Sequence, residues 1–440
     1  MPELTALPAG ELSALGAGAL ALGIRNGTFS AAAVVRSCLD RISRVEDAVQ
    51  AWAFLDPELA LAQAHAADQR RAAGTRLGAL HGVPVGIKDI IDTADMPTEN
   101  GTVLHAGRRP TADAAVVARL RAAGAVIMGK TVTTELATYA PGKTRNPHNP
   151  EHTPGGSSSG SAAAVAAGMV PLAVGTQTNG SVLRPASFCG VYGYKPTFGL
   201  IPRAGVLCQS PAFDQVGVLA RSIDDAALLA GQLCDGGGAV MRDAASADGT
   251  PPKIAFVKTP LWDRVEADTL AAISGLIDHL GGAVAEVAMP SAAAGVWEWH
   301  RTAMEAEIAA NFDAEWTQGR DRLSASLRGQ IERGRAVLAF DYQRALAQIA
   351  VVNAAFDALY AQYDAILTPA VAGTAPRGLG STGDPAFCTL WTFCGMPALT
   401  LPLLSGANGL PLGVQLVGPR LGDARVLRVA RWLADAAHDA

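Results

Sequence analysis

The sequence predicts an α/β protein: one central, mixed, twisted β-sheet covered by helices on both faces. Two observations carry that expectation. Between residues 81 and 130 a β-prone run bounded by Gly and Pro (HGVPVGIKDIID) is followed by a helical stretch (ADAAVVARLRAAG) and a strand-like run (AVIMGK), the strand, helix, strand rhythm of an α/β sheet. The rhythm returns at 253–290 (KIAFV, DTLAAISGLIDHLGG, AVAEVAMP), and short strands (AILTPA, PALTLPL, GVQLVG) occupy 363–418.

Taken in order, the amino terminus begins with an acid and lacks the basic stretch a secretory signal needs, so it reads as a cytoplasmic start. Residues 28–50 open with Thr28 and Ser30 as candidate caps and place Val34, Val35, Cys38, Leu39 and Ile42 on one stripe, an amphipathic helix. From 141 to 200 the texture turns polar and rich in turn formers, which reads as surface loop. Its length marks it as functional. The uncharged run at 161–175 is too short and too broken by Gly and Pro to span a bilayer. Residues 293–360 read as a charged helical cover. No Pro- or Ser-rich linker divides the chain, so 1–440 is expected to be a single domain, with its chemistry-bearing core at about 70–235.

With 440 residues, 49% of them hydrophobic, the chain can bury a reactive group in a water-poor cleft. Its 35 basic and 40 acidic residues give a mild, unclustered charge of −5, with no footprint for nucleic acid and no polybasic membrane patch. The expected partner is a small molecule, and the expected assembly a monomer or homodimer. Six cysteines without a C-x-x-C pair suggest buried free thiols. His148 and His152 flank Pro150, so they do not share a helix face as metal ligands would. Neither a metal nor another cofactor is expected.

Three segments carry candidate chemistry. In GTQTNGS (175–181) a serine ends a run of small residues, and the backbone N–H groups of Thr178, Asn179, Gly180 and Ser181 could face a developing oxyanion. In GGSSSGS (155–161) glycines flank three hydroxyls able to relay protons. It lacks the Gly-Lys-Ser/Thr of a phosphate-binding P-loop. It does satisfy G-x-S-x-G, but no strand precedes it, and His279, His300 and His438, which follow, stand in no suggestive context. In VPVGIKDII, a buried Lys88 could act as a base if its pKa fell roughly 3 units, a cost of about 4 kcal/mol. The plain alternative is a lysine paired with Asp89 or Asp92.

Together, GVPVGIKD, GGSSSGS and GTQTNGS followed by RPASFCGVYGYKPTFG resemble the amidase signature enzymes, which cleave amides and in some cases carbamates and ureas through a Ser-cisSer-Lys triad. Lys88 lies 69 residues before Ser157 and Ser157 lies 24 before Ser181, the second interval being one that family keeps. The resemblance covers roughly 28–235 and 363–430; 240–340 carries no matching motif. It implies Ser181 as nucleophile, Ser157 as relay serine preceded by a cis peptide, Lys88 as base, and Ser158 as a hydrogen-bonding support.

The chain also departs from the pattern. Where many members read G-G-S-I-R-x-P-A, this one reads Asn179-Gly180-Ser181-Val182-Leu183-Arg184-Pro185-Ala186. Asparagine replaces glycine well at positive φ, so the turn is expected to survive with the Asn179 side chain at the substrate. Arg184 is expected to pair with Asp214 rather than with a substrate carboxylate, and Ser159 to restrict its loop. Substrate pockets are expected from 293–345 and 371–396. The leading reading is a metal-free amidohydrolase of small amides, with a carbamate (urethane) hydrolase as the next. An ammonia-releasing subunit of a tRNA-dependent amidotransferase and a non-catalytic binding protein on the same fold are the further alternatives.

Overall fold

The computed structural model describes residues 10–236, 241 and 251–438, so residues 1–9 of the cytoplasmic-start reading lie outside it. The strands are β1 (Trp52–Leu55), β2 (Pro84–Lys88), β3 (Val126–Thr131), β4 (Leu172–Gln177), β5 (Tyr192–Lys195), β6 (Gln215–Ala220), β7 (Ile254–Lys258), β8 (Val284–Ala288), β9 (Ala365–Pro369), β10 (Ala398–Ser405) and β11 (Pro411–Val417). The first half of the chain adds helices α1 (Ala17–Asn26), α2 (Ala31–Val49), α3 (Pro57–Ala72), α4 (Ala115–Ala122), α5 (Ser159–Ala166), α6 (Leu183–Cys189) and α7 (Ile223–Leu233). The second half adds α8 (Ala267–Leu280), α9 (Val296–Asn311), α10 (Asp313–Gly319), α11 (Ala325–Arg335), α12 (Ala339–Tyr360), α13 (Ala386–Phe393) and α14 (Asp423–His438).

Eleven strands form one sheet in the order β1-β3-β2-β4-β6-β5-β10-β11-β9-β7-β8. Strand β2 runs parallel to β3 and β4, and β7 parallel to β8 and β9, while the middle of the sheet is antiparallel. This is the expected mixed sheet flanked by helices. Every residue of β2, β3, β4, β6 and β9 is buried, which explains why these strands read as continuous apolar runs rather than alternating ones.

Local chemistry sets the helix starts. Ser30, rather than Thr28, caps α2 by accepting from the Ala33 amide at 3.0 Å, and Val34, Val35, Cys38 and Ile42 of the expected stripe are buried. Asp56 caps α3 in the same way, with Pro57 at the first helical position; such a cap contributes roughly 1 kcal/mol.

One expectation fails here. The polar segment after 141 is not a surface loop: Thr144, Asn146, Thr153 and Ser157 are buried. The reason is hydrogen-bond accounting. Asn146 Nδ2 donates to the carbonyls of Thr153 (3.2 Å) and Phe188 (2.8 Å), and its Oδ1 accepts from the His148 amide at 3.0 Å. His148 and His152 lie against the carbonyls of Cys189 and Ala375, so each ring serves backbone. Of the six cysteines, five are buried thiols, but Cys208 is exposed.

Helices α9, α11, α12 and α13 pack a second apolar core, including Ile308, Leu327, Val352, Phe356 and Trp391, over β7, β9 and β11. On the other arm, α5 crosses the ends of β1 and β3 so closely that only glycine fits at position 160. A Cβ there would overlap the Ala51 carbonyl oxygen and the Val132 amide. Gly→Ala in a helix normally stabilises by about 1 kcal/mol. Gly160→Ala is instead expected to destabilise by about 1–3 kcal/mol through overpacking, a reversed sign that thermal unfolding would show directly.

Candidate active site

Strands β2 and β4 run parallel as neighbours, so their carboxyl ends deliver Lys88 and the segment after Gln177 to the same edge of the sheet. Such edges are where α/β proteins bind ligands. Lys88, the last residue of β2, is fully buried. Its Nζ donates to Ser157 Oγ at 2.7 Å and to Thr176 Oγ1 at 2.8 Å. The plain pairing with an adjacent acid does not form. Asp89 leaves the chain on the other side and meets Lys130 at 3.3 Å, while Asp92 holds Arg108 at 2.7 Å. Burial drives the Lys88 amine far below its ordinary range; the charge of Asp214 opposes this shift and that of Arg184 reinforces it.

The Gly156–Ser157 peptide is cis. Both carbonyls of the pair are bonded: Arg184 Nη2 donates to the Gly156 carbonyl at 2.8 Å and the Thr134 amide donates to the Ser157 carbonyl at 3.3 Å. Ser158 supports the loop rather than the lysine. Its hydroxyl donates to the Thr176 carbonyl and accepts from the Thr176 amide, both at 3.2 Å. Gly175 makes room for it, since a Cβ there would lie 2.7 Å from Ser158 Oγ. The Ser158 amide donates to the Ser181 carbonyl at 3.2 Å, which ties the two serine segments together. Ser159, with its hydroxyl 3.4 Å from the Val132 carbonyl, begins α5. Ser181 is buried, and its Oγ has no hydrogen-bond partner among the described residues. Contacts of this kind often tighten only when substrate is bound.

In the loop from Thr178 to Ser181, the amides of Asn179, Gly180 and Ser181 donate no hydrogen bond among the described residues. The groups around them are occupied. The Thr178 carbonyl accepts from His300 Nε2 at 2.9 Å, and the Asn179 carbonyl from Thr392 Oγ1 at 2.6 Å. Gln177 Oε1 accepts from the Val182 and Leu183 amides at 2.8 and 3.0 Å, and its Nε2 donates to Thr392 at 2.9 Å. Asp214 accepts from the Thr178 hydroxyl at 2.6 Å and from the amides of Gln209 and Ser210 at 2.8 and 2.9 Å. Burial still pushes its carboxyl up to about 6. Burial also takes His300 down to about 4, so near neutrality its ring is uncharged and the nitrogen facing the Thr178 carbonyl is the N–H donor.

Two readings of the sequence are corrected. Asn179 is not at positive φ. Its side chain is held within the protein, Nδ2 donating to the Tyr139 hydroxyl at 3.1 Å and Oδ1 accepting from Thr389 at 2.6 Å. Arg184 does not pair with Asp214. Helix α6 carries it, fully buried, toward Gly156 and Thr382, whereas Asp214 precedes β6 on the Thr178 side. Tyr139, His300, Thr389 and Thr392 escape sequence reasoning as contacts, because isolated residues without a motif give no local signal, and Thr176, though inside GTQTNGS, is not singled out there. The expected pocket segments do reach the loop, 293–345 through His300 on α9 and 371–396 through Thr389 and Thr392 on α13.

A family model described as Amidase matches residues 33–427. A protein of Symbiobacterium thermophilum, named as a glutamyl-tRNA(Gln) amidotransferase subunit, is 35% identical over 92% of this chain and 93% of its own. One of the same name from Chloroflexus aurantiacus is 34% identical over 92% of both chains. Among solved structures, one described as an amidase superposes with a TM-score of 0.87 at 30% identity, covering 96% of this chain and 99% of its own. The native peptide amidase of Stenotrophomonas maltophilia gives 0.82 at 27% identity, covering 96% and 97%.

Thr392 links two of these groups, and Thr392→Val would leave Gln177 Nε2 and the Asn179 carbonyl without it. The expected cost is about 1–3 kcal/mol of unfolding free energy. Thr392→Ser, which keeps the hydroxyl, is expected to retain most of that in the same denaturant titration.

Proposed function

We propose that this chain, which belongs to the amidase signature family, cleaves the carbon–nitrogen bond of small amide-like substrates through an acyl-enzyme on Ser181. The observation that carries the reading is a buried Lys88 bonded to Ser157 with no carboxylate in contact among the described residues. Burial lowers the pKa of a lysine so placed, which favours the neutral amine that can accept a proton. Lys88 takes the proton of Ser157 as Ser157 takes that of Ser181, and Ser181 Oγ attacks the carbonyl carbon. The carbonyl oxygen becomes negative as it forms a tetrahedral centre, and the free amides of Asn179, Gly180 and Ser181 supply hydrogen bonds to it. The relay then reverses, the leaving nitrogen receives the proton, and the C–N bond breaks. Water repeats the cycle on the acyl-serine and releases the acid. Thr176 orients Lys88, and His300 and Asp214 hold Thr178 so that the donor loop keeps its shape.

Anilide amides are the first substrates to try, with aryl carbamates second because the same attack and oxyanion serve both. A second reading has its own support: both relatives described above are named as amidotransferase subunits. Under it the same triad would release ammonia from glutamine for a partner enzyme acting on tRNA.

Hydrolysis of glutamine, an anilide and an aryl carbamate by the purified chain separates these readings. Turnover of anilide or carbamate by the chain alone supports the free-standing hydrolase. Turnover confined to glutamine, and raised by a co-purifying protein, supports the amidotransferase reading. Ser181→Ala is expected to lower kcat by about a thousand-fold or more in either case, and Ser157→Ala by roughly 100- to 10,000-fold. Turnover that survives Ser181→Ala would overturn the mechanism.

The pH dependence follows from Lys88. Protonated, it cannot act as base, so kcat/KM is expected to fall as pH drops through its pKa, and burial moves that limb below the ordinary lysine range. Lys88→Arg places a permanent cation there that cannot release its proton. It is therefore expected to be inactive across the whole profile, whereas a merely structural lysine would leave a measurable limb.

A further inference from the structure

We infer that the outer face of α12 is a two-fold contact through which two copies of this chain pair. Most helices here bury one face and expose a charged one. Helix α12 exposes an apolar one. From its second residue to the residue after its end, the exposed positions are Phe340, Asp341, Gln343, Arg344, Ala347, Ala350, Val351, Ala354, Asp357, Ala358 and Ala361. Phe340 and Val351 are 68% and 52% exposed. Positions 340, 347, 354 and 361 repeat every seven residues, with 343/344, 350/351 and 357/358 between them, the spacing of a seam between two helices.

The pattern is complementary to itself. When a second α12 lies antiparallel with Ala350 opposite Val351, Ala347 falls opposite Ala354 and Arg344 opposite Asp357. Phe340 then meets Ala361. Each cation thus faces an anion and each larger apolar side chain faces an alanine, and a two-fold axis makes every one of these contacts twice. The guanidinium of Arg344 already lies over the Phe340 ring, 5.7 Å from its centroid, so the charge is held on the seam. Between Ala347 and Ala354 the exposed side chains are alanine and valine alone, small enough for helix axes to approach to about 8 Å. The contact length is about 30 Å. That is an interface at the low end of the usual size range, so the dimer is expected to be reversible on dilution.

Sedimentation velocity across the micromolar range tests the proposal, with circular dichroism to show that each variant is folded. Wild type is expected to pass from monomer to dimer as concentration rises. Arg344→Asp and Asp357→Arg alone each bring like charges together and are expected to weaken dimerisation by at least ten-fold. Ala347→Arg is expected to abolish it. The double variant R344D/D357R is expected to restore the wild-type behaviour, which only antiparallel self-pairing explains. A chain monomeric at every concentration would overturn the inference. So would a dimer indifferent to these substitutions, a double variant that stays monomeric, or a face that binds only a different protein.

Discussion

The lysine at the end of β2 is buried without a carboxylate in contact among the described residues, and the rest of the proposed site depends on that. The two other deeply buried lysines are treated differently. Lys130 meets Asp89 at 3.3 Å, and Lys195, which likewise has no carboxylate in contact among the described residues, bonds two groups that can only accept, the Gln215 side-chain oxygen and the Met396 carbonyl. Lys88 has two hydroxyls, Ser157 and Thr176, as its hydrogen-bond partners. Hydroxyls can bond either protonation state of an amine, whereas a carboxylate favours the cation. In the proposed mechanism this choice of hydroxyl partners leaves the amine able to act as a base.

The second requirement of the proposed chemistry, a row of amides with nothing to bond to, is harder to meet inside a protein, because unpaired N–H groups cost stability. The fold meets it by occupying the carbonyls and side chains of Thr178 and Asn179. The carbonyls of Thr178 and Asn179 are taken by His300 and Thr392, and the side chains of Thr178 and Asn179 by Asp214, Thr389 and Tyr139. The loop therefore cannot turn its amides inward. His300 belongs to the helical cover and Thr389 and Thr392 to α13, so the segments expected to shape the substrate pocket also brace the donor loop.

The site was legible in the sequence where chemistry is local. Three short motifs located Lys88, Ser157, Ser158 and Ser181, and the strand and helix rhythm located β2, β3, β7 to β11 and the helices among them. Errors arose where one residue's partner is remote. Arg184 and Asp214 have opposite charges and stand 30 positions apart, which suggested a pair, but α6 points the guanidinium to the far side of the serine loops. Asn179 in a glycine position suggested a left-handed turn, but its amide bonds to Tyr139 and Thr389 and the backbone stays in an ordinary conformation. The polar run after 141 suggested a surface loop, because composition does not reveal that Asn146 will bond buried carbonyls.

By itself, then, the sequence determined the α/β class, the three segments of the candidate site and the family, since each is encoded by contiguous residues whose spacing and φ/ψ demands are local. Only the tertiary structure decided that Lys88 would have hydroxyls for partners, that His300 and Thr392 would hold the donor loop, and that one face of α12 would be left apolar and uncovered. Those outcomes depend on which helix lands on which strand, and that is settled by packing across the whole sheet rather than by any stretch of chain.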